Sequence, residues 1–288
     1  MTERPTRSPR ADPRDVAELK QLKLDQPELA SAVDLQLALV DMQRRVQGRV
    51  PLPWIQPDPA WVAAQQEAGR PLVRFSDIPL EWSDFRLTFR QTADILQRFE
   101  ALERKDYDAI VSLGRDGNTL EPIVGRWYQR TSGVDGSPAE RGADEASAGL
   151  DQVLVLALRP FLTRCAEALV QRVDLSGWRH GRCPYCGWEP DFAVITPSAD
   201  RRLICGRCTG QWPFPQLTCP FCANTDRARI TSFATRDGRY RVTACDVCHR
   251  YLKAYDGRSA TRPVLVAVDS IATLPLDAAA IQRGYTAE

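Results

Sequence analysis

Four Cys-x-x-Cys pairs in the C-terminal part of this 288-residue chain constrain its fold more than any other feature of the sequence. They hold eight of the nine cysteines and are Cys183/Cys186, Cys205/Cys208, Cys219/Cys222 and Cys245/Cys248. In a reducing compartment, pairs at this spacing indicate metal or redox chemistry rather than structural disulfides. Two such turns can place four thiolates around one ion, so the four pairs predict two tetrathiolate metal sites.

The lengths of chain between the pairs predict how they combine. Eighteen residues separate the first two pairs and 22 separate the last two, and each stretch is long enough for a hairpin that returns to the metal. Only ten residues, including two prolines, separate Cys208 from Cys219, which favours a connector there. We predict one site from the first two pairs and a second from the last two. A cross-braced arrangement, in which the first and third pairs share an ion, remains open.

The expected cofactors are two metal ions per chain, either iron or zinc, because both metals accept four thiolates. Four protein ligands leave no open position for catalysis, so the sites are expected to be structural, or redox-active through iron. The sequence shows no catalytic triad, phosphate-binding glycine loop or H-E-x-x-H motif, and we expect a protein that is not an enzyme. His180 and His249 are expected beside the sites rather than in them, and Cys165 in the core.

Two other functions remain open from the residues alone. A CxxC dithiol redox protein would carry a pair at the start of a helix, whereas each pair here lies at the end of a predicted strand. A zinc-ribbon nucleic-acid-binding protein would need a basic hairpin. The candidate residues for such a hairpin are Arg227, Arg229, Arg236, Arg239, Tyr240 and Arg241. Because the formal net charge is only +1, we expect no nucleic-acid binding.

Hydrophobic periodicity divides the chain into a helical half and a strand-rich half near Gly177. Helices are predicted over residues 12–24, 29–48, 58–69, 85–102, 120–130 and 148–173, and an exposed loop over residues 131–149. Pro160 is expected to kink the last helix unless that helix begins there. Strands are predicted over residues 192–196, 202–204, 229–233, 240–243, 251–255 and 264–268, followed by a helix over 276–282. Asp237-Gly238 predicts a type I′ hairpin turn.

The cysteine motifs resemble one known family. The relevant segments are RCPYCG at 182–187, LICGRC at 203–208 followed by Trp212, CPFC at 219–222, ACDVC at 244–248 followed by YLK at 251–253, and VDSIATLPLD at 268–277. Over residues 180–280 they resemble the formate dehydrogenase accessory proteins of the FdhE family. The chain departs from that family's pattern at Ala223, where glycine is usual, and at Ser270, where a second aspartate is usual.

The resemblance implies an α+β fold, with an N-terminal all-helical domain followed by two small rubredoxin-like, or zinc-ribbon, β-hairpin metal knuckles. The predicted domains are a helical domain (1–176), a first four-cysteine knuckle (177–214), a second four-cysteine knuckle (215–258) and a C-terminal strand and helix (259–288). The resemblance also implies an accessory protein that matures respiratory formate dehydrogenase by binding its catalytic subunit. A cytoplasmic location is expected, because the arginines near Met1 precede no apolar signal segment and no apolar run could cross a bilayer.

Overall fold

The computed structural model describes residues 13–134, 148–260 and 262–287. The α-helices of these residues are α1 (Arg14–Asp25), α2 (Ala30–Gln47), α3 (Pro59–Ala68), α4 (Trp82–Arg98), α5 (Arg104–Arg115), α6 (Gly117–Ser132), α7 (Ala148–Val170), α8 (Val266–Ala272) and α9 (Leu274–Gln282). The strands are β1 (Pro190–Ile195), β2 (Arg201–Cys205), β3 (Gln211–Pro213), β4 (Ile230–Ala234), β5 (Tyr240–Cys245) and β6 (Tyr251–Asp256). Seven helices precede the strands, which confirms the α+β class. None of the described helices is both long and apolar enough to cross a membrane.

Local signals account for several helix ends. The Asp58 side chain accepts a hydrogen bond from the Trp61 N–H at 2.9 Å and begins α3, and Gly69 ends that helix with a φ of +66°. Helix α1 begins after Pro13, and Asp12, the first residue of the predicted helix, lies outside the described residues. The predicted loop over residues 131–149 also falls largely outside them.

Helix α4 is the centre of the helical half. Its buried face carries Phe85, Phe89 and Leu96, none of which has exposed surface. Phe85 meets Phe161 of α7 edge to face, with ring centroids 5.9 Å apart. The aromatic stripe of α4 is therefore core packing, and its helical spacing agrees with the helix predicted over residues 85–102.

Helix α7 continues through Pro160. Proline has no N–H to donate to the carbonyl of the residue four positions earlier, which is Leu156. The Gln43 side chain of α2 replaces that donor, with its Nε2 atom 3.2 Å from the Leu156 carbonyl oxygen. A contact between two helices thus supplies the hydrogen bond that the α7 backbone lacks.

The six strands form one sheet in the order β3-β2-β1-β6-β5-β4, made of two three-stranded units. Strands β1–β3 form the first unit and β4–β6 the second, and each unit is antiparallel within itself. The strand registers of the two units are equivalent. The first residue of β1, Pro190, is paired with Cys205 at the end of β2, and the first residue of β4, Ile230, is paired with Cys245 at the end of β5. The parallel pair β1–β6 joins the two units.

Two details of the strand-rich half differ from the sequence prediction. Strand β3 lies in a segment for which the sequence predicts only a connector. The hairpin between β4 and β5 turns at Asp237-Gly238 as expected, but only Gly238 there has a positive φ, +69°. A type I′ turn requires positive φ at both central residues, so this turn is of another type.

The predicted strand over residues 264–268 is wrong, because Val266–Ala272 forms helix α8. Its valines favour a strand by propensity alone, but tertiary contacts decide otherwise. Val268 packs in a small core with Leu19 and Leu22 of α1. Asp269 accepts hydrogen bonds from the Leu265 N–H at 2.7 Å and the Tyr240 hydroxyl at 2.8 Å, which fixes the first turn of the helix. The C-terminal segment is therefore a pair of helices, of which α9 matches the predicted terminal helix.

Candidate metal centres

All four cysteine pairs lie in turns of the same geometry. In each turn the N–H of the first cysteine donates to the carbonyl five residues later, at 2.8–2.9 Å. The N–H of the residue four positions later donates back to the carbonyl of the first cysteine, at 2.8–3.1 Å. That fourth residue has a positive φ in every turn: Gly187 (+74°), Thr209 (+57°), Ala223 (+58°) and His249 (+56°). Each turn therefore presents two sulfur atoms in the same direction.

Ala223 keeps the turn geometry although it replaces a glycine. Its N–H donates to the Cys219 carbonyl at 3.0 Å, close to the 2.9 Å of the matching bond from Gly187 to Cys183. At Gly187 there is a further requirement for glycine, because a Cβ atom would lie 2.1 Å from the Ser132 carbonyl oxygen at the end of α6. The first turn is thus fitted closely against the helical half.

The structure gathers the eight cysteines into two groups of four. One group contains Cys183, Cys186, Cys205 and Cys208, and the other contains Cys219, Cys222, Cys245 and Cys248. Within each group all four sulfur atoms lie within 4.8 Å of one another. Neighbouring pairs combine in each group, and the first and third pairs are apart. The sequential arrangement predicted from the linker lengths is the one observed.

The sulfur spacings fit a shared ion. Cys183 and Cys208 have their Sγ atoms 3.5 Å apart, and Cys219 and Cys248 theirs 3.6 Å apart. A disulfide would need about 2.05 Å. A regular tetrahedron of sulfurs around a metal with bonds of about 2.3 Å has edges of about 3.8 Å. Each group could therefore hold one metal ion, and thiolate ligands suit iron and zinc alike.

The two groups differ in exposure. All four cysteines of the first group are buried, and they belong to the main hydrophobic core together with residues of α4 and α7. In the second group Cys222 is exposed and Cys248 half-buried. The first group is thus enclosed by the protein, whereas the second lies at its surface.

Burial and hydrogen bonding set the thiol chemistry of the groups. Burial raises the pKa of Cys183 and of Cys208 well above the ordinary value, so these thiols stay protonated until a metal displaces the protons. Burial also acts to raise the pKa of Cys245, but N–H donors from Cys248 and Val247, together with hydrogen bonds from the thiols of Cys222 and Cys219, bring that pKa to about 7. N–H donors of this kind stabilise thiolates and therefore favour metal binding.

Contacts from two segments of the helical half fix the first group in place. The N–H groups of Leu72 and Val73 donate to the carbonyls of Pro184 and Tyr185 in the first turn, at 2.8 and 2.9 Å. On the other side, Thr163 of α7 donates through its hydroxyl to the Cys208 carbonyl at 3.2 Å. The first centre is therefore built between the two halves of the chain.

Arg207, between two cysteines of the first group, was not identified from the sequence. It is fully buried, and its guanidinium donates to the Cys186 carbonyl oxygen and, at 3.0 Å, to the Thr131 hydroxyl. Three aromatic rings surround it, with centroids 4.8 Å from its Cζ atom for Tyr128 and Trp188 and 5.4 Å for Trp127. One arginine among 34 gives no signal in the sequence, because its burial depends on the approach of α6.

The remaining candidate residues lie outside both groups. His180 contacts the Gln66 carbonyl, and His249 is exposed in its turn. Cys165 is fully buried, and burial raises the pKa of its thiol, which makes it unreactive. No CxxC pair in the described residues opens an α-helix, unlike the pair expected of a dithiol oxidoreductase.

Several residues of the basic hairpin make internal contacts. Tyr240 is buried and donates to Asp269, so its ring does not face solvent. Arg241 pairs with Asp256 at 2.7 Å, and Arg229 donates to a backbone carbonyl. These contacts engage three of the six candidate residues, whereas Arg227 and Arg236 are exposed.

The departure at Ser270 leaves a single aspartate, Asp269, which has a structural role. Asp269 has no exposed surface and pairs with Arg262 at 2.6 Å. It holds α8 against the sheet rather than facing a ligand.

Comparison with known proteins finds a likeness among solved structures. No protein-family model matches the chain, and no curated protein matches it. Among solved structures, the FdhE protein from Pseudomonas aeruginosa is similar over 95% of this chain and 91% of that chain, with a TM-score of 0.61 and 20% sequence identity. At this identity the likeness establishes a common architecture. The chain therefore has an FdhE-like fold, as the resemblance of its cysteine motifs indicated.

Proposed function

We propose that this chain is a non-catalytic, cytoplasmic accessory protein that binds the catalytic subunit of a respiratory formate dehydrogenase during its maturation. The observation that carries the proposal is the FdhE-like fold over 95% of the chain, combined with two tetrathiolate groups in the matching cysteine motifs. We also propose that each group holds one iron or zinc ion through its four cysteines.

The chemistry of the groups supports binding rather than catalysis. When all four positions of an ion are filled by protein thiolates, no position is left for a substrate or a water nucleophile. Bound iron would supply a one-electron redox change, whereas bound zinc would supply only structural cross-linking. In both cases the turns around the ion become fixed loops that a partner protein can recognise.

The arrangement of the chain suggests how a client would be held. We retain the division into a helical domain (1–176), two four-cysteine knuckles (177–214 and 215–258) and a C-terminal segment (259–288) as part of the proposal. The helical domain supplies a broad scaffold, and the surface group that includes Cys222 presents an accessible loop. No nucleic acid is expected among the partners, because the formal net charge is +1 and Arg241 of the basic hairpin pairs with Asp256.

The proposal is tested by co-purification of the tagged full-length chain from its own host, grown under conditions in which formate dehydrogenase is made. We expect the catalytic subunit of formate dehydrogenase to co-purify, and a deletion strain to lose formate oxidation. The tagged chain should restore that activity. Normal formate oxidation in the deletion strain, with no co-purifying subunit, would refute the accessory role.

Metal binding is tested separately on protein purified without oxygen. Elemental analysis should find about two equivalents of metal per chain, and a visible spectrum distinguishes iron–thiolate absorption from colourless zinc. Protein that is folded but free of metal would refute this part of the proposal alone.

A further inference from the structure

The buried guanidinium of Arg207 has no carboxylate partner among the described residues. Its contacts are a carbonyl, a hydroxyl and three aromatic rings, and its Nε atom has no hydrogen-bond partner. No carboxylate of the described residues lies within ion-pair distance of it. An isolated charge inside a protein is strongly unfavourable unless an opposite charge lies close by. The structure therefore requires a source of negative charge near Arg207.

The first cysteine group supplies that charge when it holds a metal. Four thiolates around a divalent ion leave two net negative charges, and around a trivalent ion they leave one. The Arg207 backbone N–H donates to Cys205 Sγ at 3.3 Å, and its guanidinium donates to the carbonyl of Cys186. The cation and the cysteine group thus share one buried volume, from which water is excluded.

We propose that Arg207 is the charge partner of the first metal centre. Its guanidinium offsets the net negative charge of the metal and its four thiolates, and so slows the loss of that metal. The metal–thiolate charge in turn makes the burial of Arg207 tolerable. This inference rests on the metal binding proposed above and is independent of the formate dehydrogenase client.

The second cysteine group has an equivalent sequence position that carries no buried arginine. Val247 precedes Cys248 as Arg207 precedes Cys208, and Val247 is 50% exposed. Arg201 lies beside Cys219, but its guanidinium donates to the backbone carbonyls of residues 215, 216 and 218. It holds the loop that leads into the second group, whose metal is further neutralised by solvent.

The test measures release of zinc from the full-length protein, loaded with two equivalents, to a coloured chelator in excess. We expect Arg207→Met to release one of the two equivalents about 10- to 100-fold faster than the wild type. Arg207→Lys, which keeps the charge, should stay closer to the wild type. Val247→Met, the matched change in the second group, should leave the release rate of the slower equivalent unchanged. Wild-type release from Arg207→Met, or equally fast release from the Met and Lys variants, would overturn the charge role.

A second pair of variants keeps Arg207 in place and so does not depend on the folding of Arg207→Met. Thr131→Asp gives the guanidinium a carboxylate partner, whereas Thr131→Asn has nearly the same shape without the charge. If Arg207 neutralises the metal centre, the Asp variant loses one equivalent faster than the Asn variant. Equal rates would overturn the proposal. Wild-type protein that binds no zinc would instead refute the underlying metal binding, so the two failures are distinguishable.

Discussion

At the scale of single residues, one backbone position recurs in all four cysteine turns. The residue four positions after the first cysteine has a positive φ, and it is glycine only at Gly187. Residues other than glycine incur a steric cost in this conformation, on the order of 1–2 kcal/mol. The chain accepts that cost at Ala223, where the turn lies at the surface. It does not do so at Gly187, where a Cβ atom would also overlap the Ser132 carbonyl.

We expect opposite effects from exchanging glycine and alanine at these two positions. Ala223→Gly should raise the free energy of unfolding by about 1 kcal/mol, because it removes the steric cost of the positive φ. Gly187→Ala should lower it by at least about 2 kcal/mol, because overlap with α6 adds to that cost. Denaturant unfolding of the metal-loaded proteins measures both. Wild-type stability of Gly187→Ala would mean that the first turn does not pack closely on Ser132.

At the scale of elements, α7 shows how a contact between helices compensates for a local defect. Pro160 removes one backbone donor from the helix, and Gln43 supplies a donor from α2 to the Leu156 carbonyl. The two helices are thereby tied at the point where α7 would otherwise be weakest. Proline inside this helix is tolerated because the carbonyl that it leaves without a donor has been given a partner.

This compensation predicts that Gln43 and Pro160 are energetically coupled. Gln43→Met keeps the length of the side chain but removes its donor, and should cost about 1 kcal/mol of stability. In a Pro160→Ala background, the N–H of residue 160 can bond to Leu156, so the same change should cost less. Thermal unfolding of the wild type, both single variants and the double variant measures the coupling. An equal cost of Gln43→Met in both backgrounds would contradict the compensation.

The elements that sequence reasoning identified are those with strong local signals. Asp58-Pro59 and Gly69 marked both ends of α3, and the aromatic stripe marked α4. Helix α5 was missed although its apolar residues share one face, and it buries only Ile110 and Gly114. Helix α8 was mistaken for a strand, because the contacts that stabilise it come from α1 and from Tyr240, far away in the sequence.

At the scale of the whole molecule, the two cysteine groups occupy different places. The first lies in the main core between the helical half and the sheet, and the second lies at the surface. All seven tryptophans precede the second group in the sequence, the last of them being Trp212. Tryptophan fluorescence therefore reports on the helical half and the first unit.

We predict that removing one pair of cysteines from each group has different consequences. Cys205→Ser/Cys208→Ser should lose about one equivalent of metal and shift the tryptophan emission, because the core around the first group loosens. Cys245→Ser/Cys248→Ser should also lose about one equivalent while leaving the tryptophan emission nearly unchanged. Metal analysis and fluorescence of the same samples measure both effects. Loss of both equivalents from either folded variant would contradict independent centres.

The composition of the two groups could be predicted from the sequence, but their surroundings could not. The ten-residue linker with two prolines between Cys208 and Cys219 is too short for a hairpin that would return the chain to a shared metal, and the observed groups agree with this. The enclosure of the first group depends on α6 and α7, whose approach no local pattern encodes. For the same reason no pattern in the sequence indicated the buried state of Arg207.

The joining of the two sheet units has a consequence for how molecules could associate. Strand β6 is the third strand of the second unit, as β3 is of the first. It pairs with β1, which is the first strand of the first unit. If two molecules paired in the same way, β3 of one would lie beside β4 of the other. These are the two edge strands of the described sheet. Unless its rotation closes a ring, such a head-to-tail contact extends into a fibre. Strand β3 has only three residues and ends at Pro213, so it offers a poor edge for polymerisation.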